Sequence, residues 1–200
     1  MKIQYLSLAI AIGVSACNAP KPSATSSSTP AMEKPASTTT TMGDAAYTTQ
    51  VLKADLPSPR KEMTAALSGA SLTVNYGSPA VKGRNLWGEL VPYDKVWRAG
   101  ANEATTFTTS ADIMVEGQRL PAGKYGFFTI PGETEWTIIF NSTADQWGAY
   151  NYDAKKDVLR VKIKPRTVSD ASENLEYKVA GKQVLLHWGT LQAGFSITGG

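Results

Sequence analysis

The chain has 200 residues, enough for one domain, and at 42% apolar content it can build a real core. The net charge is only +3, and the longest basic stretch, Arg160-Val161-Lys162-Ile163-Lys164, alternates as a strand with one solvated face. The concentrated basic patch of a nucleic-acid binder is therefore missing. Cys17 is the only cysteine, which excludes an intramolecular disulfide and leaves the core to stabilise the fold.

Met1-Lys2 makes a brief positive start, and Tyr5 to Val14 is an apolar run of about ten residues, too short to span the ~30 Å hydrocarbon core as a helix. It ends in Val14-Ser15-Ala16-Cys17. An aliphatic residue, two small residues and a cysteine resemble the lipobox cut by lipoprotein signal peptidase, after which the Cys17 sulfur carries a diacylglycerol. The expectation is a signal peptide over residues 1–16 and a lipoprotein of the bacterial cell envelope. Acylation of the new amino group, by palmitate for example, adds the further chain that stable membrane anchoring needs. Asn18, rather than Asp, favours the outer membrane, facing the periplasm.

Residues 18–50 contain 13 Ser or Thr, 4 Pro and 6 Ala, with no hydrophobic periodicity. Such a segment buries too little to offset its ordering entropy, so it reads as a disordered tether with a root-mean-square span of roughly 35 Å. The folded domain is expected over 51–200, starting between Val51 and Lys61.

Period-two alternation then recurs. Leu72, Val74 and Tyr76 alternate with Thr73 and Asn75, and Ile113 and Val115 lead into a Glu116-Gly117 hairpin turn. Tyr125–Ile130, Trp136–Phe140, Val158–Ile163, Leu175–Val179, Val184–Trp188 and Phe195–Ile197 follow the same pattern. The reading is an all-β domain, an antiparallel sandwich or jelly roll of about eight to ten strands. One long crossing loop, residues 77–103, interrupts it. Loops of that length in a compact domain are functional or pinned by their own side chains.

That loop carries Gly83-Arg84, Leu86-Trp87-Gly88, Leu90-Val91-Pro92-Tyr93 and Val96-Trp97-Arg98-Ala99-Gly100-Ala101-Asn102-Glu103. With Leu120-Pro121-Ala122-Gly123-Lys124-Tyr125, Ile130-Pro131-Gly132, Trp136–Asn141, Trp147-Gly148 and Asp157–Val161, these blocks resemble the domain of unknown function 2911 family over about residues 57–197. Past residue 165 the likeness loosens, and His187 stands where an acidic residue is expected. The resemblance implies one globular domain in a bacterial envelope and assigns no catalytic or binding residues.

Two groups of residues are candidates for binding. Arg98 offers a planar donor fork for carboxylate or phosphate, and Arg84, Tyr93, Asn102 and Glu103 would complete a polar pocket with it. The structural alternative has Trp97 filling the core while a buried Arg98–Glu103 pair pins the loop. Trp147, Tyr150 and Tyr152 sit in a Gly-containing aromatic loop whose rings would stack on sugar faces if exposed, or cap the sandwich if not. Asn141, Asp145, Asn151 and Asp153 supply oxygen ligands without the spacing of a calcium loop. His187 is the sole histidine, lies within an alternating strand, and no Gly-x-Ser-x-Gly elbow accompanies it. No catalytic residue, metal or cofactor is expected. The function so read is a non-enzymatic binding or structural module for a glycan, a peptide or an envelope protein. The alternative is a hydrolase of envelope polymers working through Trp97–Glu103.

Overall fold

The computed structural model of the chain describes residues 37–42 and 45–200. The expected signal peptide, Cys17 and the first part of the expected tether lie outside the described residues. Twelve strands are present in that part: β1 (Ser37–Met42), β2 (Ala45–Lys53), β3 (Arg60–Leu67), β4 (Ala70–Gly77), β5 (Thr105–Thr109), β6 (Ile113–Val115), β7 (Gln118–Leu120), β8 (Gly123–Ile130), β9 (Trp136–Asn141), β10 (Asp157–Ile163), β11 (Arg166–Ala180) and β12 (Gln183–Gly199). A single 3-10 turn over Ala154–Lys156 precedes β10.

The strands form two antiparallel sheets, one of eight in the order β1-β2-β3-β4-β5-β8-β9-β10 and one of four in the order β11-β12-β6-β7. The protein is an all-β sandwich, as the alternation predicts. The central strands turn their apolar phase inward. Met63, Ala65 and Leu67 of β3, Leu72, Val74 and Tyr76 of β4, and Leu175, Tyr177 and Val179 of β11 are all buried in one core. At its centre Phe107, Phe127, Phe140 and Phe195 pack ring against ring, with centroids 5.1–6.2 Å apart. The edge-to-face and tilted contacts among them add about 0.5–1.5 kcal/mol per pair to the burial itself.

Turn chemistry sets the hairpins. Glu116 and Gly117 both take positive φ (46° and 77°), as a two-residue type I′ turn requires, and join β6 to β7. Ser68 and Gly69 (54° and 82°) do the same between β3 and β4.

Three expectations need correction. Order begins well before Val51: β1 and β2 form a hairpin from the Ser/Thr-rich segment, β2 pairs with β3 from Tyr47↔Ala65 to Lys53↔Arg60, and Tyr47 is buried. Thr is a good strand residue, and a sheet edge supplied the partner that the segment lacks alone. The two segments expected as Val184–Trp188 and Phe195–Ile197 are one strand, β12, which pairs first with β11 and at its far end with β6. Finally, the long loop does not cross. The strands it joins, β4 and β5, are hydrogen-bonded neighbours, paired from Leu72↔Thr109 to Asn75↔Thr106.

Candidate functional site

The long excursion from β4 to β5 is closed at its neck by backbone. Ala101 N donates to Gly77 O (3.2 Å), and Thr105 N donates to Arg98 O (3.3 Å). A Cβ on Gly77 would collide with the Ala101 carbonyl, and one on Gly100 would stand 2.8 Å from Thr105 Oγ1 and 3.0 Å from Gly77 O. The glycines are needed for this close approach. Ala99 takes φ +52°, a left-handed conformation unusual for alanine. Its carbonyl is held there by Thr105 Oγ1 (3.0 Å) and by the buried Tyr177 hydroxyl (2.9 Å).

Beyond the neck the excursion plugs one end of the sandwich. Trp87 packs on Trp136 of β9 (centroids 4.8 Å) and Trp188 of β12 (5.9 Å), and Trp97 stacks on Trp188 at 6.0 Å. Trp97 also bridges to Thr129 of β8 through backbone bonds. Arg84 is exposed and donates to the Val81 and Ala80 carbonyls, tying its own turn. The Tyr93 ring lies over Gly88, 3.1 Å from where a Cβ would be.

The expected Arg98–Glu103 pair does not form. Glu103 Oε2 is buried and faces Arg60 Nη1 of β3 at 3.6 Å. Arg60, whose side chain is only 13% exposed, hydrogen-bonds Asn75 Oδ1 and reaches the carbonyls of Asn75, Glu103 and Ala104 at 3.3–3.4 Å. Arg60, which the sequence reading passed over, is the fastener. Asn102, at φ +63°, donates from Nδ2 to Ser58 O (3.3 Å). Arg98 is left alone. Its Nε is buried without a partner, and of the six arginines, all within the described residues, it is the one whose side chain makes no hydrogen bond or ion pair. Burial pushes its pKa down, and the Tyr150 phenol is the one ionisable neighbour acting on it. Arg84, Tyr93, Arg98, Asn102 and Glu103 thus do not converge on one pocket, because their backbone runs from the plug to the neck and out along β5.

The loop from Ser142 to Lys156 folds back over the outer face of the large sheet. There Phe128 and Ile139 form a second small core with Ala104, and Ala149 and Tyr152 cover it. The Tyr152 ring meets Phe128 edge-on at 5.1 Å, and its hydroxyl donates to Asp157 Oδ2 (2.6 Å) and accepts from Arg160 (2.8 Å). Burial, and next the hydrogen-bonded Asp157, push that phenol up to about 12. Tyr152 is a structural cap. Trp147 and Tyr150 are the opposite case, 59% and 84% exposed. The four oxygen-bearing side chains offered for calcium are dispersed. Asn141 bonds Asp153 O and Asp157, Asp145 pairs with Lys124, and Asp153 caps the 3-10 turn. No cluster of three or more His, Cys, Asp or Glu suited to a metal occurs among the described residues.

Beside this loop lies a feature no single segment announces. Register aligns two polar rows across the outer face: Glu62–Asn75–Thr106–Gly126 and Thr64–Thr73–Thr108–Lys124. They floor two depressions of about 430 and 280 Å³ that share Arg60, Asn75, Thr106 and Asp145, so the two are one trough. Gly126 has no side chain, which lets the Thr143 carbonyl come down to 2.5 Å from where its Cβ would stand and seats the loop as a wall. Ala104 N donates to Gln146 O (2.9 Å) and Glu103 bridges to Trp147, so backbone ties this wall to the segment that leads into β5. The wall contributes buried acceptors without hydrogen-bond donors, Glu103 Oε2 and Gln146 Oε1. Each carboxylate of the trough is engaged: Glu103 by Arg60, Asp145 by Lys124 (2.6 Å), and Glu62 by Gln50 (2.9 Å) and Asn75 (3.3 Å).

His187 is buried on β12, with Nδ1 3.4 Å from Lys178 Nζ and Nε2 unpartnered. Burial first, and then the Lys178 charge, push its pKa down. No nucleophile is hydrogen-bonded to it among the described residues.

Neither the curated proteins nor the solved structures contain a match to this chain. A family model does match, over residues 58–197, from just before β3 to near the end of β12. That range holds the neck, the plug, the aromatic loop and all of the trough lining but Leu52 and Lys53, and the chain belongs to the family described as Protein of unknown function (DUF2911).

Proposed function

We propose that the protein is a lipid-anchored envelope module that binds a glycan along the outer-face trough. The observation that carries the reading is the exposed Trp147, next in the chain to Gln146 of the wall, on the loop that flanks a trough lined by hydroxyls, amides and paired charges. A sugar presents an apolar face for an aromatic ring and hydroxyls for polar side chains, and binding sites combine these two elements. The hydrolase reading has less behind it, since the trough carboxylates are each tied to a cation or an amide. The anchor rests on Val14-Ser15-Ala16-Cys17 behind a short apolar run, and Asn18 after the cysteine supports an outer-membrane site facing the periplasm.

Two experiments test this. A panel of oligosaccharides titrated into the full chain should yield binding that Trp147→Ala abolishes without lowering the melting temperature. Equal binding by the variant, or none by the wild type, overturns the glycan reading. In cells, an alkyne fatty acid should label the wild type and not Cys17→Ser; equal labelling overturns the anchor.

A further inference from the structure

Three backbone links bring the aromatic loop and the Arg98 turn together. Arg98 is bonded to Thr105, Ala104 to Gln146, and Glu103 bridges to Trp147. Gly148, at φ +64°, lets the chain turn so that the Tyr150 ring lies over it, 3.1 Å from where a Cβ would be. Trp147 and Tyr150 are therefore exposed on the same short loop that runs beside the one arginine without a partner. The other five arginines each engage a side chain or a carbonyl. An arginine fork without a protein partner, on backbone linked to a loop with two exposed rings, has the donor chemistry that a planar anion needs.

Resting on the glycan reading, we infer that the ligand carries an acidic group, and that Arg98 receives it while Trp147 and Tyr150 stack on the sugar that bears it. Among the described residues no carboxylate pairs with the Arg98 guanidinium. A carboxylate on a uronic-acid-type sugar and a phosphate substituent share the chemistry that the fork recognises. Arg98 thus selects for charge, and the trough binds the neutral remainder of the chain.

The test uses the full chain labelled with ¹⁵N-arginine and read at the Arg98 Nε–Hε resonance, assigned by its loss in Arg98→Lys. Sodium galacturonate, galactose and inorganic phosphate are titrated separately, followed by galacturonate and galactose trimers. The expected result is a saturable shift with galacturonate and none with galactose, and at least tenfold tighter binding of the acidic trimer than of the neutral one. Added salt should erode that preference. Arg98→Gln should remove the preference while keeping neutral-trimer binding, and Arg98→Lys should retain part of it; unchanged melting of both variants confirms that they fold. Equal binding of acidic and neutral trimers by wild type and Arg98→Gln overturns the role of Arg98 and leaves the glycan reading standing. A shift with phosphate or galacturonate but no binding of either trimer supports the anion site and overturns the glycan reading. No shift with either anion overturns the inference.

Discussion

Arg60 and Arg98 are both arginines flanking the same loop, and their environments assign them opposite roles. Arg60 satisfies three carbonyls and an amide and faces Glu103, so Arg60→Ala strands those acceptors. A loss of about 1.5–3 kcal/mol in a denaturant melt is expected. Arg98→Ala removes a buried Nε that bonds nothing and should change stability by less than about 1 kcal/mol. Equal losses in the two variants would contradict the assignment of roles. Gly77 offers a steric test of the neck. Gly77→Ala drives a methyl into the Ala101 carbonyl, and because backbone must shift, a cost of about 3 kcal/mol is expected. A variant that melts like wild type would mean that the neck is not tight.

His187 gives a pH dependence whose sign follows from its burial. Its folded-state pKa is lowered, by burial and then by Lys178, with Asp170 and Glu176 opposing. The unfolded chain therefore takes up the proton first as pH falls through its ordinary value near 6.5. The folded state is destabilised on going below that pH and loses nothing above it. Melting temperature should fall between pH 7 and pH 5, and His187→Gln should flatten that slope; an unaltered slope would assign it to other groups.

At the scale of elements, the β1–β2 hairpin is the segment whose composition most misleads. Ser37-Thr38-Thr39-Thr40-Thr41 reads as tether, and in isolation a Thr-rich two-stranded hairpin is marginal. Against β3 it gains a ladder and buries Tyr47, and it lies outside residues 58–197 that define the family domain. Its removal bares the β3 edge, and exposed edges pair with other chains. Deleting residues 37–53 should lower the melting temperature by a few degrees and shift the protein toward dimers in light scattering. A deletion variant as stable and monomeric as the full chain would make the hairpin dispensable.

For the whole molecule, period-two alternation was enough to assign an all-β sandwich, because an inward apolar phase leaves each sheet only another sheet to pack against. The Glu116-Gly117 turn was legible because its chemistry is local. The motif blocks also sufficed for the family. The partner of Glu103 was not legible, since Arg60 lies on another strand and only the β3–β4–β5 register brings it there. The trough was hidden likewise. Its residues are the ordinary polar phase of four strands, and alternation says that Asn75 and Thr106 face outward without saying that they stand side by side. Nor does alternation reveal which ring of Trp147, Tyr150 and Tyr152 is left bare. Sequence determined the secondary structure, the layers and the family, which rest on neighbours in the chain. Tertiary structure alone decided the ion pairs, the trough and the unpartnered Arg98, because each depends on strand register and loop packing between residues far apart in sequence.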